Sequence, residues 1–171
     1  MLQFVKRALK HRYARDASVL VPDAAMQRLK QQVAQSERLH SGEIRICIEA
    51  RLPHSYLARS APMSGVVRER AISQFGKLQV WDTEHNNGVL IYLLLCERAI
   101  EVVADRGLAT RVPPEVWQSI VHRLGQALQQ GEFERGLEQA ITEVSALLRA
   151  HYPVGTDQRN PNELPDLPAR F

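Results

Sequence analysis

The sequence predicts an α/β protein, a three-layer α/β/α sandwich around a small mixed central sheet. Three observations carry this. Residues 43–50 alternate along one apolar face, as a half-buried strand does. Residues 88–96 are apolar on both sides, as a central strand covered on both faces would be. Segments of helical periodicity stand before, between and after the strands, and that order places helices on both faces of a sheet.

The elements follow in chain order. Residues 2–15 approximate a short helix, with Leu2, Val5, Leu9 and Tyr13 as a stripe and basic residues between them. Pro22 suits the first turn of the next helix, where its missing N–H costs nothing. Met26, Leu29, Val33 and Ser36 continue it at helical spacing to about residue 39, and Ser41-Gly42 breaks it. In the first strand Ile44, Ile46 and Ile48 share a face opposite Glu43, Arg45, Cys47 and Glu49. Pro53 and Pro62 make residues 52–62 a loop. Ser64 is then the expected N-cap of a helix whose inner face is Val67, Ala71, Ile72, Phe75 and Leu78, with Trp81 closing the core beside it.

After the polar stretch 82–87 comes the central strand. Glu97-Arg98 leaves only a tight link before a second strand over 99–104, so the two form a hairpin. Pro113-Pro114-Glu115 starts a helix carrying Trp117, Ile120, Val121, Leu124 and Leu128. Gly131 ends it, and Phe133, Leu137, Ile141, Val144 and Leu148 line the last helix. Pro153, Pro161, Pro165 and Pro168 forbid a continuous helix in the tail. The organisation read from this is a basic helical extension (1–20), one domain (21–152) and a Pro-rich tail (153–171).

The chain's 171 residues suffice for one domain with a real core. No apolar run approaches the ~20 residues of a membrane span, and the first residues lack the pattern of a secretory signal. The expectation is a cytoplasmic protein, at most peripheral to the inner face of the membrane. Of the net charge of +3, residues 1–16 hold five Lys/Arg against one Asp, a charge of +4, which leaves −1 for the rest. A nucleic-acid-binding body would spread its basic residues over a folded face, so no nucleic-acid partner is expected. A basic amphipathic helix at residues 1–16 instead suits peripheral contact with anionic lipid or an acidic partner. Cys47 and Cys96 lie in strand-like apolar context and read as reduced core thiols.

The chemistry-bearing stretch is the polar lip before the central strand. A simple hairpin register brings Asp105 and Arg106 beside Asn86, Asn87 and Gly88, with Glu43 supplied from a neighbouring strand. Asp82, Glu84, Asn86 and Asp105 are oxygen donors of the kind a hard divalent cation such as Ca2+ or Mg2+ gathers. The spacing is not an EF-hand: the Gly comes one place late, and Leu93 stands where the bidentate Glu belongs. The other reading of Asn86-Asn87-Gly88 is a turn that tolerates positive φ.

A run of short motifs in fixed order resembles a known family. Gly42-Glu43-Ile44 opens the first strand. Arg70-Ala71 and Phe75 follow on a helix, then Trp81, then Asn87-Gly88-Val89-Leu90, then a Gly-containing turn at 107, and finally Gly131-Glu132-Phe133 with Gly136. Together, over about residues 25–152, they resemble the TPM domain, named for thylakoid-lumen, photosystem-repair and receptor-modulator proteins. The resemblance implies an α/β/α sandwich, acid-phosphatase activity in some members, calcium near the Asn-Gly turn in some, and LemA-type membrane proteins as companions. Here Asn86 replaces a frequent Asp. The expectation is therefore a non-catalytic interaction domain working with a membrane-associated partner. The alternative is a weak divalent-metal-dependent phosphatase at the Asn-Gly turn.

Overall fold

The computed structural model describes residues 2–14, 16–154 and 160–171, with the backbone alone for residues 2–6. The expected stripe positions Leu2 and Val5, the charges of Lys6 and Arg15, and residues 155–159 of the tail lie outside the described residues or side chains. The chain runs α1 (Leu2–Arg12), α2 (Ala17–Leu20), α3 (Asp23–Ser36), β1 (Ile44–Glu49), α4 (His54–Leu57) and α5 (Met63–Lys77). It continues through β2 (Val89–Leu94), β3 (Ala99–Ala104), α6 (Arg106–Ala109), α7 (Pro114–Gln129), α8 (Phe133–His151) and β4 (Ala169–Arg170).

The sheet is mixed, in the order β3-β2-β1-β4. β1 and β2 are parallel, with Ile44 opposite Val89 and Ile48 opposite Leu93. β2 and β3 form the expected antiparallel hairpin, with Val89 opposite Ala104. Its link is a 3-10 turn over Leu95–Glu97 closed by Arg98 at φ +51°. Side chains alternate across the sheet, so each strand feeds two cores. Ile44, Ile46, Ile48, Val89, Ile91 and Leu93 pack with Leu29 and Val33 of α3, Leu124 of α7 and Ile141 of α8. Cys47, Leu90, Tyr92 and Leu94 pack on the other side with Leu57 of α4 and Val66, Val67 and Ala71 of α5. This is the predicted mixed α/β fold, a small sheet flanked by helices.

Several local expectations are corrected. Pro62, with ψ 147°, caps α5 in place of Ser64, because its extended backbone delivers the chain directly into the helix at Met63. The loop 52–62 contains the short helix α4. The inner face of α5 is rotated: Arg70 and Gln74 are buried, while Ile72 is 51% exposed. The cause is a buried ion pair between Arg70 and Glu49 of β1. Arg70 Nε reaches Glu49 Oε2 at 2.9 Å, and the Tyr92 hydroxyl donates to the same oxygen at 2.6 Å. Trp81 is 51% exposed, and Val80 is the fully buried residue there. On α1 and the turn that ends it, Leu9 and Tyr13 face solvent and His11 faces inward.

The tail does more than avoid helix. β4 pairs with β1 in parallel, Cys47 opposite Ala169 and Ile48 opposite Arg170. That covers an edge which would otherwise present unpaired backbone groups. No helix among the described residues is long and apolar enough to cross a membrane.

Candidate functional site

The N-terminal end of β2 is built by close backbone approach. A Cβ on Gly88 would lie 2.0 Å from the Val80 carbonyl oxygen, so no larger residue fits there. Positive φ falls not on the glycine but on Asn86, at +51°, a conformation Asn tolerates better than most residues. Thr83 holds the turn through its hydroxyl, which accepts from Asn87 N–H at 3.1 Å.

The hairpin register brings the predicted residues together. Asp105 N–H donates to Gly88 O at 2.8 Å, and Gly107 N–H donates to Asn86 O at 2.9 Å. Arg106 donates from Nε and Nη2 to Asn86 Oδ1 at 3.3 and 3.2 Å. Asp105 accepts from Arg106 N–H through Oδ1 at 2.7 Å. Glu43 joins by its backbone, its carbonyl accepting from Val89 N–H at 2.8 Å. Asp82 and Glu84 are exposed and stand apart from this group; Glu84 N–H donates to Glu163 Oε2 of the tail at 2.8 Å.

Two buried oxygens, Asn87 Oδ1 and Asp105 Oδ2, find no hydrogen-bond partner among the described residues. Buried acceptors are ordinarily satisfied, so these two are the atoms at this edge best disposed to meet a cation. Asn87 lay in the predicted edge but not in the predicted metal set. Its full burial was the missing signal, and sequence spacing does not report burial.

The carboxylate of Glu43 is turned away toward the tail, where it accepts from Glu163 N–H at 3.1 Å and Leu164 N–H at 3.3 Å. Burial pushes its pKa up to about 7 against the lowering effect of those two amides. Glu37, behind it, accepts from Ile44 N–H at 3.0 Å. Burial and the neighbouring Glu43 raise its pKa to about 9. Arg45 crosses to the tail and donates to Leu167 O at 2.9 Å and to Pro165 O. Asn160 Nδ2 donates to the carbonyls of Glu37 and His40 at 2.8 and 3.1 Å. The polar edge is therefore walled on one side by the chain's own tail.

The C-terminal end of β2 carries a second cluster. His11 Nε2 lies 2.8 Å from Glu97 Oε1, and Cys96 Sγ lies 3.2 Å from His11 Nδ1. Cys96 is half-buried rather than a plain core thiol, and burial raises its pKa to about 12. Sequence reading passed over this group because His11 is 85 residues from Cys96 and sits off the apolar stripe of its helix.

The TPM domain family matches residues 14–147. The chain belongs to this family. The TPM domain here is similar to the BA42 protein of the psychrophilic bacterium Bizionia argentinensis, with a TM-score of 0.72 and 23% identity over 88% of this chain and 95% of that one. It is also similar to the N-terminal domain of a protein from P. gingivalis, with a TM-score of 0.56 and 20% identity over 89% and 93% of the two chains. At such identities the likeness is one of fold. No curated protein matches the chain.

Proposed function

We propose that this TPM domain is a non-catalytic interaction module acting at the cytoplasmic face of a membrane, beside a membrane-associated partner of the LemA type that the family resemblance implies. The observation that carries the reading is the outer face of α1 and α2. Leu9, Tyr13, Val19 and Leu20 are 50, 77, 65 and 45% exposed, and Lys10 and Arg12 are exposed beside them. Apolar side chains among basic ones suit an anionic lipid surface.

The condition of the polar edge supports the same reading. Its hydrogen-bonding groups are mostly engaged within the chain: Asn86 Oδ1 by Arg106, Glu43 by the tail amides, Glu84 N–H by Glu163. Phosphoryl transfer needs a positioned nucleophile and groups that neutralise developing charge. The test is sedimentation of the full chain with phosphatidylglycerol vesicles. Binding that falls at least tenfold in the double variant Leu9→Glu, Tyr13→Glu supports the reading. No binding to such vesicles at low salt removes it.

A second reading, the weak divalent-metal-dependent phosphatase, is favoured by the orphaned oxygens of Asn87 and Asp105. They would hold a hard ion such as Ca2+ or Mg2+, which would act as a Lewis acid on phosphate. Asp105 is the one carboxylate of that pair, whereas calcium gathers about six to eight oxygens. The fit is partial. Amide shifts of residues 82–88 and 105–107 under millimolar Ca2+ and Mg2+, with hydrolysis of p-nitrophenyl phosphate, test it. Unmoved shifts remove its basis.

A further inference from the structure

We propose that His11, Cys96 and Glu97 form a binding site for a zinc-class divalent ion, which fastens the N-terminal helix to the domain. The three side chains come from two segments that meet only in the folded chain: α1, and the 3-10 turn that links β2 to β3. Among the described residues they are the only three His, Cys, Asp or Glu side chains whose ligand atoms all lie within 4.8 Å of one another. His11 is 2% exposed and the Glu97 side chain 13%.

The donor set selects the ion. A thiolate, an imidazole and a carboxylate together suit zinc and its neighbours rather than calcium or magnesium, which prefer oxygen alone. The spacing fits as well. Cys96 Sγ and His11 Nε2 are 3.6 Å apart, and bond lengths of ~2.3 and ~2.0 Å at a tetrahedral angle require about 3.5 Å. The Nε2 to Oε1 separation of 2.8 Å has to open by roughly half an ångström to admit the ion.

Three protein ligands leave a fourth position, the arrangement of an open rather than a closed zinc site. His11 lines a groove of about 500 Å³ with Arg12, Arg51, Leu52 and His54, so its ring borders a groove open to solvent.

The protons balance. Without metal, Leu52 N–H donates to His11 Nδ1 at 3.0 Å, which places the ring proton on Nε2, facing Glu97. When the ion takes Nε2, Glu97 and the Cys96 sulfur, the thiol proton leaves to solvent. The ring keeps one proton, now on Nδ1. Two ligand charges of −1 against +2 make the loaded site neutral, with Lys10 Nζ 2.6 Å from Glu97 Oε2 at its rim. Losing the Leu52 to His11 bond and opening the Nε2 to Oε1 contact both oppose loading. Affinity is therefore expected to be weaker than that of a closed four-ligand site.

Because α1 begins before residue 14, where the family match starts, the site would be a feature of this chain's own N-terminal segment. Loading it would hold α1 against the domain.

The test uses the reduced full chain and Co2+ as a spectroscopic stand-in for zinc. One equivalent is expected to give a thiolate-to-cobalt charge-transfer band and the intense visible bands of tetrahedral cobalt, both displaced by zinc. Cys96→Ser abolishes the charge-transfer band and Cys47→Ser leaves it. His11→Gln and Glu97→Gln each weaken zinc binding by more than about tenfold, with circular dichroism showing each variant folded. A charge-transfer band that survives Cys96→Ser, or none at saturating Co2+, overturns the proposal.

Discussion

Glu37 makes a pH dependence that can be worked through. Its side chain is buried, accepts from Ile44 N–H at 3.0 Å, and has a pKa raised from 4.5 to about 9 by burial and by Glu43. A raised carboxylate pKa means the folded state holds a proton that the unfolded state has released. Stability from this group is therefore full below about pH 4.5 and falls as pH rises through the window up to about 9. From about pH 7 to about pH 8.5 the loss is roughly 1.5 units at 1.36 kcal/mol each, about 2 kcal/mol. That interval lies above the raised pKa of Glu43, at about 7, and reaches only the start of the range, from about 8.5, in which the unfolded thiols of Cys47 and Cys96 ionise; both proteins carry these thiols, so the comparison cancels them. Glu37→Gln keeps an oxygen for Ile44 N–H and cannot ionise, so its profile over the interval should be nearly flat. Urea unfolding of both proteins at the two pH values measures the difference, and comparing them cancels the histidines. Equal slopes in the two proteins would refute the reasoning, because they would mean that Glu37 keeps the same protonation state folded and unfolded.

Four further outcomes are expected. Arg70→Met strands Glu49, 2% exposed, as an unpaired buried charge and should cost about 3–5 kcal/mol; thermal unfolding would show it as a fall in midpoint of roughly 10 °C. Gly107→Ala places a methyl group 2.5 Å from Asn86 O and 2.6 Å from His85 O, so it should lose about 1–3 kcal/mol and shift the amides of residues 85–87. Gly65→Ala, in the first turn of α5, meets nothing within 4 Å and should gain up to about 1 kcal/mol. Truncation after residue 159 removes the amides and cover over Glu43, so its carboxyl titration midpoint, followed by NMR, should drop from about 7 toward the ordinary 4.5.

What was legible followed from periodicity and register. The polar break at Glu97-Arg98 pairs β2 with β3 as a hairpin, although the observed link is longer, Leu95 to Arg98, and that pairing brings Arg106 to Asn86. What was not legible depended on partners distant in sequence. Arg70 and Glu49 each look like ordinary polar positions on their own elements, and only the packing of α5 on β1 makes them a buried pair. That pair turns α5 so that Ile72 faces solvent, against its hydrophobicity. His11 lies off the apolar stripe of α1, so amphipathic reasoning turns the wrong face inward. The tail's prolines correctly exclude helix, but nothing local in residues 160–171 announces a strand, because β4 takes its hydrogen bonds from the edge of β1.

The two proposed ion sites lie at opposite ends of β2, roughly 20 Å apart along the strand, and their chemistry makes them separable. The Asn-Gly end offers only oxygen, at Asn87 and Asp105. The other end offers sulfur, nitrogen and oxygen, at Cys96, His11 and Glu97. On these proposals, zinc added to the reduced chain should move amide signals near residues 11, 52 and 96–97 and leave 82–88 in place. Calcium in excess should do the reverse, and more weakly. The first end is made from elements within the family match. The second needs α1 and is available only while that helix is docked. A helix whose outer face carries Leu9 and Tyr13 and whose inner face carries a metal ligand would link metal occupancy to the presentation of its outer face. The coupling has a direction: an ion that binds only the docked form must stabilise docking by its binding free energy. Vesicle binding that requires α1 to leave the domain should then weaken when zinc is added, while binding through the outer face of a docked α1 should not.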